Sequence, residues 1–112
     1  MAVRYFISLP DPAKARGSDS ALSFSAHGAE GFAEQLQDAL RTPTLFERWR
    51  GQQADPDEVD PALGATDPGA SVTGQQDDLH VDLVVSTSLP SEILKQRLRW
   101  LAGSGWQLRD VR

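Results

Sequence analysis

The stretch "LHVDLVVSTSLPSEILKQRLRWLAGSGWQLRDV" changes its apolar period twice, and this constrains the fold more than any other feature of the chain. Leu79, Val81, Leu83 and Val85 alternate with His80, Asp82, Val84 and Ser86, the pattern of a strand with one buried face. Beyond Pro90 the spacing becomes helical, with Leu94, Leu98, Leu101 and Ala102 on one stripe. Pro90 suits a first helical turn, and Glu92 sits near the positive end of the helix dipole. Gly103 or Gly105 supplies the C-terminal cap, where a left-handed turn costs glycine little. A last strand, Trp106–Val111, then places Trp106 and Leu108 on one face. Burying Trp106 is worth about 2–3 kcal/mol, which a floating basic tail would forgo. This helix, glycine, tryptophan and strand ending is similar to one seen in several small bacterial α+β proteins. It spans a dozen residues and implies neither a family nor a function.

The first half repeats the alternation of periods. In "VRYFISL" (3–9), Val3, Tyr5, Ile7 and Leu9 face one side, and Arg4, Phe6 and Ser8 the other. "PDPAKARGSDS" reads as a loop and "ALSFS" as a short strand or extended arm. "SAHGAEGFAEQLQDALR" carries a stripe of Phe32, Leu36 and Leu40 flanked by Ala29, Ala33 and Ala39, with Ser25 as N-cap. "TPTLFERWRG" reads as a short helix capped by Thr42, opened by Pro43 and stopped by Gly51, with Leu45 and Trp49 sharing a buried face. "ASVTG" and "LHVDLVVSTS" form a hairpin around "QQDD". The order βαββαβ predicts a single α+β domain over residues 1–112. It is the ferredoxin-like split βαβ arrangement: a four-stranded antiparallel sheet, first and third strands central, both main helices on one face.

Between the two halves lies "QQADPDEVDPALGATDPGA" (52–70), expected to be an acidic mobile loop with at most a helical turn near Val59–Leu63. Residues 51–82 hold eight acids and no Lys or Arg, whereas residues 90–112 hold five bases against two acids. The formal net charge is −5. Acidity of this kind argues against nucleic acid as a partner, and the split predicts that the acidic loop lies over Lys95, Arg97 and Arg99. The RNA-binding form of this fold also needs aromatics on both central strands, and only Phe6 is available. No apolar run suggests a membrane span or signal peptide, so a cytoplasmic location is expected.

Chemistry-bearing motifs are scarce. The chain has no cysteine, which excludes disulfides, thiolate metal sites and a cysteine nucleophile. Phosphate-binding glycine loops and the nucleophile-elbow pattern do not occur. The calcium-loop pattern fails, because counting from Asp55, Val59 and Asp60 stand where an oxygen ligand and a glycine are required. His80 and Asp82 share a strand face and could act on a proton or a metal, but the sequence offers no evident third ligand; His27 is expected to be exposed. No cofactor and no metal are therefore expected.

Two surfaces stand out as candidates for contact. One is the outer sheet face, where Phe6, Val84 and Val111 would form an apolar centre rimmed by Arg4, His80, Asp82 and Arg109. The other is a second stripe on the last helix, made by Ile93, Arg97 and Trp100. The leading expectation is a small acidic, non-catalytic protein-binding or regulatory domain, with a protein partner or a second copy of itself. The alternative is a small-ligand or metal sensor, or an enzyme, working near His80 and Asp82.

Overall fold

The computed structural model describes residues 2–112. The chain is α+β, with a four-stranded antiparallel sheet and three helices: β1 (Val3–Leu9), α1 (Ala29–Arg41), α2 (Thr44–Gly51), β2 (Ser71–Asp77), β3 (His80–Thr87), α3 (Ser91–Ala102) and β4 (Gln107–Val111). The strand order is β2-β3-β1-β4, so β1 and β3 are the inner pair. Tyr5, Ile7, Leu9, Val81, Leu83 and Val85 point to one side and are buried with Phe32, Leu36 and Leu40 of α1 and Leu94, Leu98 and Leu101 of α3. The alternation in β1 and β3 thus fixes which face is core, because every second side chain must follow the first.

Helix ends explain how the irregular segments are held. The last carbonyls of a helix lack intrahelical donors and need partners from elsewhere. At the end of α3, the Leu101 carbonyl accepts from the backbone N–H groups of Gly17 (3.1 Å) and Phe24 (2.8 Å). The "ALSFS" arm is therefore not a strand but a wrap around this terminus, burying Leu22 and Phe24, with the Phe24 ring edge-on to Phe32 at 5.0 Å. Gly17 packs so closely that a Cβ would strike the Trp100 carbonyl oxygen. Gly103, rather than Gly105, takes the C-cap of α3 with φ of 61°.

The arm also accounts for the start of α1. Ser25 does not cap it, since Gly28 is the N-cap and offers no side chain. Ser25 instead exchanges hydrogen bonds with Gln35, whose amide donates to the serine oxygen at 2.7 Å. Likewise Thr42 does not cap α2; its hydroxyl donates back to the Asp38 carbonyl and Pro43 takes the N-cap position.

Residues 52–70 contain two short 3₁₀ turns, Pro56–Glu58 and Pro61–Gly64. This segment meets the last helix at Arg97, and by a different means from ion pairing; no ion pair joins it to Lys95 or Arg99 among the described residues. Arg97 is fully buried, and its guanidinium donates to the carbonyls of Leu63 (2.9 Å), Ala65 (2.9 Å) and, at the C-terminal turn of α1, Ala39 (3.4 Å). Burial pushes its pKa below the usual guanidinium value. Its flat side also lies 5.3 Å from the Trp100 ring, and Trp100 stacks on Trp49 of α2 at 5.0 Å. Further along, Asp67 accepts from the Thr87 hydroxyl (2.8 Å) and the Ser88 N–H (2.9 Å), tying the segment to the turn before α3.

These contacts give two expected outcomes. Arg97→Met keeps much of the volume but orphans three carbonyls, two of them only part-buried, and should cost about 3 kcal/mol, the low end of roughly 1–3 kcal/mol for each unsatisfied group. Urea unfolding checks the cost, and faster proteolysis within 52–70 checks that the segment has come loose. Asp67 is held below the ordinary carboxylate range, first by the Ser88 N–H and then by the Thr87 hydroxyl. A depressed carboxylate pKa contributes stability above the unfolded-state value, and loses it as pH falls through the folded-state value. The wild type should therefore exceed Asp67→Asn in urea midpoint near neutrality, with the gap closing in strong acid.

Candidate interaction face

The side of the sheet opposite the helices is built by register alone. Phe6 stands directly across from Val84, Arg4 from Ser86 and Ser8 from Asp82; on the edge pair, Thr73 faces Val84, Gln75 faces Asp82 and Asp77 faces His80. Phe6, Asp82, Val84 and Ser86 are half-buried, and Ser8 is buried by its neighbours. The arm and the 52–70 segment, the two stretches able to cover this face, both pack on the helical side.

Of the expected face residues, Arg4, Phe6, His80, Asp82 and Val84 lie together here; Arg109 is exposed in the edge strand and donates to Gln107, the residue paired with Ser8, at 3.1 Å. Val111 does not. Asp110 pairs with Phe6 but Leu108 pairs with Ile7, which leaves Arg109 as an extra residue in the edge strand. That bulge reverses the alternation, so Val111 falls opposite Tyr5 on the helical side, where it is 47% exposed. The position beside Phe6 is taken by Arg112, whose guanidinium lies 5.2 Å from the ring and binds Asp110 at 2.8 Å. This contact, with the Val111 N–H, holds the Asp110 carboxyl below its usual range.

The second expected stripe is not a surface. Arg97 and Ile93 are buried, and Trp100 is half-buried against Trp49. Helical spacing put all three on one face correctly, but the 52–70 segment and α2 occupy that face.

A grouping that sequence reasoning missed lies at the far end of the hairpin. The hairpin is tighter than expected: β2 runs to Asp77, and only Asp78 and Leu79 turn the chain. Asp78 has φ of 56°, a left-handed conformation that aspartate tolerates better than most residues. Leu79 is consequently 80% exposed at the tip instead of facing the core. The tight turn brings Asp77 across from His80, so His80 Nε2 lies 3.3 Å from Asp82 and 3.7 Å from Asp77. Among the described residues, the ion-pair neighbours of the imidazole are two carboxylates, which with the ring nitrogen are donor atoms of the kind that suit a cation. The signal was present in "DDLH", as a two-residue turn flanked by a cross-strand Asp–His pair.

A separate open cleft of about 470 Å³ lies on the helical side, between the arm, α1 and α2, and is lined by hydroxyls, Asp38 and Arg48. No helix among the described residues is long and apolar enough to cross a membrane. Searches for similar proteins found no matching family model, curated protein or solved structure.

If the sheet face is open, Phe6→Asp should leave the fold intact. The expected loss is about 1–2 kcal/mol, from the cross-strand pair and the guanidinium contact. A cooperative urea transition and unchanged far-ultraviolet dichroism would support this, and loss of the folded state would place Phe6 in the core.

Proposed function

We propose that this chain is a non-catalytic protein-binding domain that pairs with a second copy of itself through the uncovered sheet face. We read its framework as the ferredoxin-like split βαβ arrangement with a second helix, α2, added to the first crossover; the βααββαβ order and the inner position of β1 and β3 support this. The observation that carries the binding proposal is a diagonal separation of charge around Phe6 and Val84. Arg4 and Arg112, joined by reciprocal backbone hydrogen bonds, mark one corner of the face, where Asp110 offsets one of the two charges. Asp77 and Asp82 mark the opposite corner. From strand spacing and rise, the corners are about 20 Å apart, with Phe6 and Val84 near the midpoint.

Such a surface is complementary to itself. A two-fold axis lying in the face, perpendicular to the diagonal, sets each acidic corner over a basic corner and Phe6 against the partner's apolar centre. The footprint is about 19 by 20 Å, small beside the roughly 800 Å² per partner of a standard stable interface. The pairing is therefore weak, reversible and weakened by salt.

Sedimentation tests this directly. Wild-type protein should self-associate, and Phe6→Asp should be monomeric. Reversing Arg4 and Arg112 to Asp, or Asp77 and Asp82 to Lys, should each abolish pairing, because both corners then carry one sign. Mixing the two charge-reversed proteins should restore a heterodimer. A wild type that stays monomeric at millimolar concentration sinks the reading. The other reading, a metal sensor, is favoured by the Asp77–His80–Asp82 grouping.

A further inference from the structure

The geometry points to a binding site for a divalent transition-metal ion at the end of the β2–β3 hairpin, with Asp77, His80 and Asp82 as ligands. The inference stands on the hairpin alone and does not rest on self-association.

One ligand atom from each of the three residues lies within 4.8 Å of the others. Bonds of about 2.1 Å from a common ion put neighbouring ligand atoms roughly 3.0–3.4 Å apart in octahedral or tetrahedral geometry. The separation of His80 Nε2 from Asp82 Oδ2, 3.3 Å, already falls there, and that from Asp77 Oδ2, 3.7 Å, nearly does. The third separation, between the two carboxylates, is within 4.8 Å, and rotation of the exposed Asp77 side chain is the movement that would have to close it. The backbone beneath is braced: the Gln76 side-chain amide donates to the carbonyls of Asp78 (2.9 Å) and His80 (3.0 Å) across the turn. Preorganisation of this kind lowers the ordering cost of binding.

Electrostatics select for a cation. Among the described residues, neither Asp77 nor Asp82 has a lysine or arginine partner; His80 is the only basic group within ion-pair reach of either. The nearest stretch of sequence adds Asp78 and no base. An imidazole must be deprotonated to ligate a metal, so this donor set brings two carboxylate charges to a bound ion. The imidazole separates it from a calcium or magnesium site, whose ligands are oxygens, and favours zinc, cobalt or nickel. Three protein ligands leave positions for water, and the exposure of the site keeps affinity modest.

Untagged protein titrated with Co²⁺ and, separately, Zn²⁺ tests the inference, with the same titrations in Phe6→Asp so that pairing cannot mask the corner. One ion per chain should bind saturably below about a millimolar. Co²⁺ should shift or broaden the His80 ring signals and the amides of 77–82 first. His80→Ala should weaken Zn²⁺ binding at least about tenfold, and Asp77→Asn and Asp82→Asn should each weaken it measurably. Mg²⁺ should leave the His80 ring signals unmoved at the same concentrations. Binding by His80→Ala within twofold of wild type overturns the site, as does Co²⁺ broadening centred on the acidic residues 55–60. If Phe6→Asp binds metal but wild type does not pair, the site stands and the self-association reading falls.

Discussion

Arg97 is the residue on which the arrangement of the helical layer depends. A guanidinium taken wholly out of water is tolerated only where its donors are satisfied. Here the acceptors are main-chain carbonyls, two from the 3₁₀ region of 52–70 and one from the end of α1. The α1 terminus presents the negative end of its dipole to this cation, and the cation in turn supplies a donor to a carbonyl with no intrahelical partner. Each side of the contact removes a desolvation penalty from the other. Among the described residues, no buried side-chain nitrogen or oxygen lacks a partner. Because the acceptors are main-chain atoms, the acidic side chains of the segment play no direct part in anchoring it at this point.

The same logic sets the division of the molecule into a closed and an open side. Segments without regular structure are spent on the helical layer: residues 15–24 on the end of α3, and residues 63–67 on Arg97, α1 and the turn before α3. On the other side of the sheet Phe6, Asp82, Val84 and Ser86 stay half-exposed, and Arg112 over Phe6 sets the character of that face.

Strands β1 and β3, helix α3 and its glycine cap were legible in the sequence because each rests on local periodicity or a backbone need that one residue type meets. The misreadings share a different cause. Val111 was assigned by alternation from Trp106, and one extra residue at Arg109 reversed it; a bulge of this kind leaves no compositional mark. Arg97 was read as surface because a charged residue on an amphipathic helix is normally solvated, and only the folded positions of Leu63 and Ala65 supply its acceptors. Ser25 has the chemistry of a cap, but the arm draws it away towards Gln35. Asp77 could not join His80 and Asp82 until the turn length was known, since a shift of one residue would put it on the other face.

The stack of Trp49 on Trp100 joins α2 to α3 beside the docked 52–70 segment, at a centroid distance of 5.0 Å and 27° between ring planes. Two indoles this close share their electronic transitions, so the pair has an optical signature that neither ring has alone. The third tryptophan, Trp106, lies apart, with its N–H donated to the Gly103 carbonyl. The molecule thus carries its own label for the packing of the helical layer: exciton coupling in its circular dichroism reports whether α2 and α3 are in contact, without any dye and independently of the state of the sheet face.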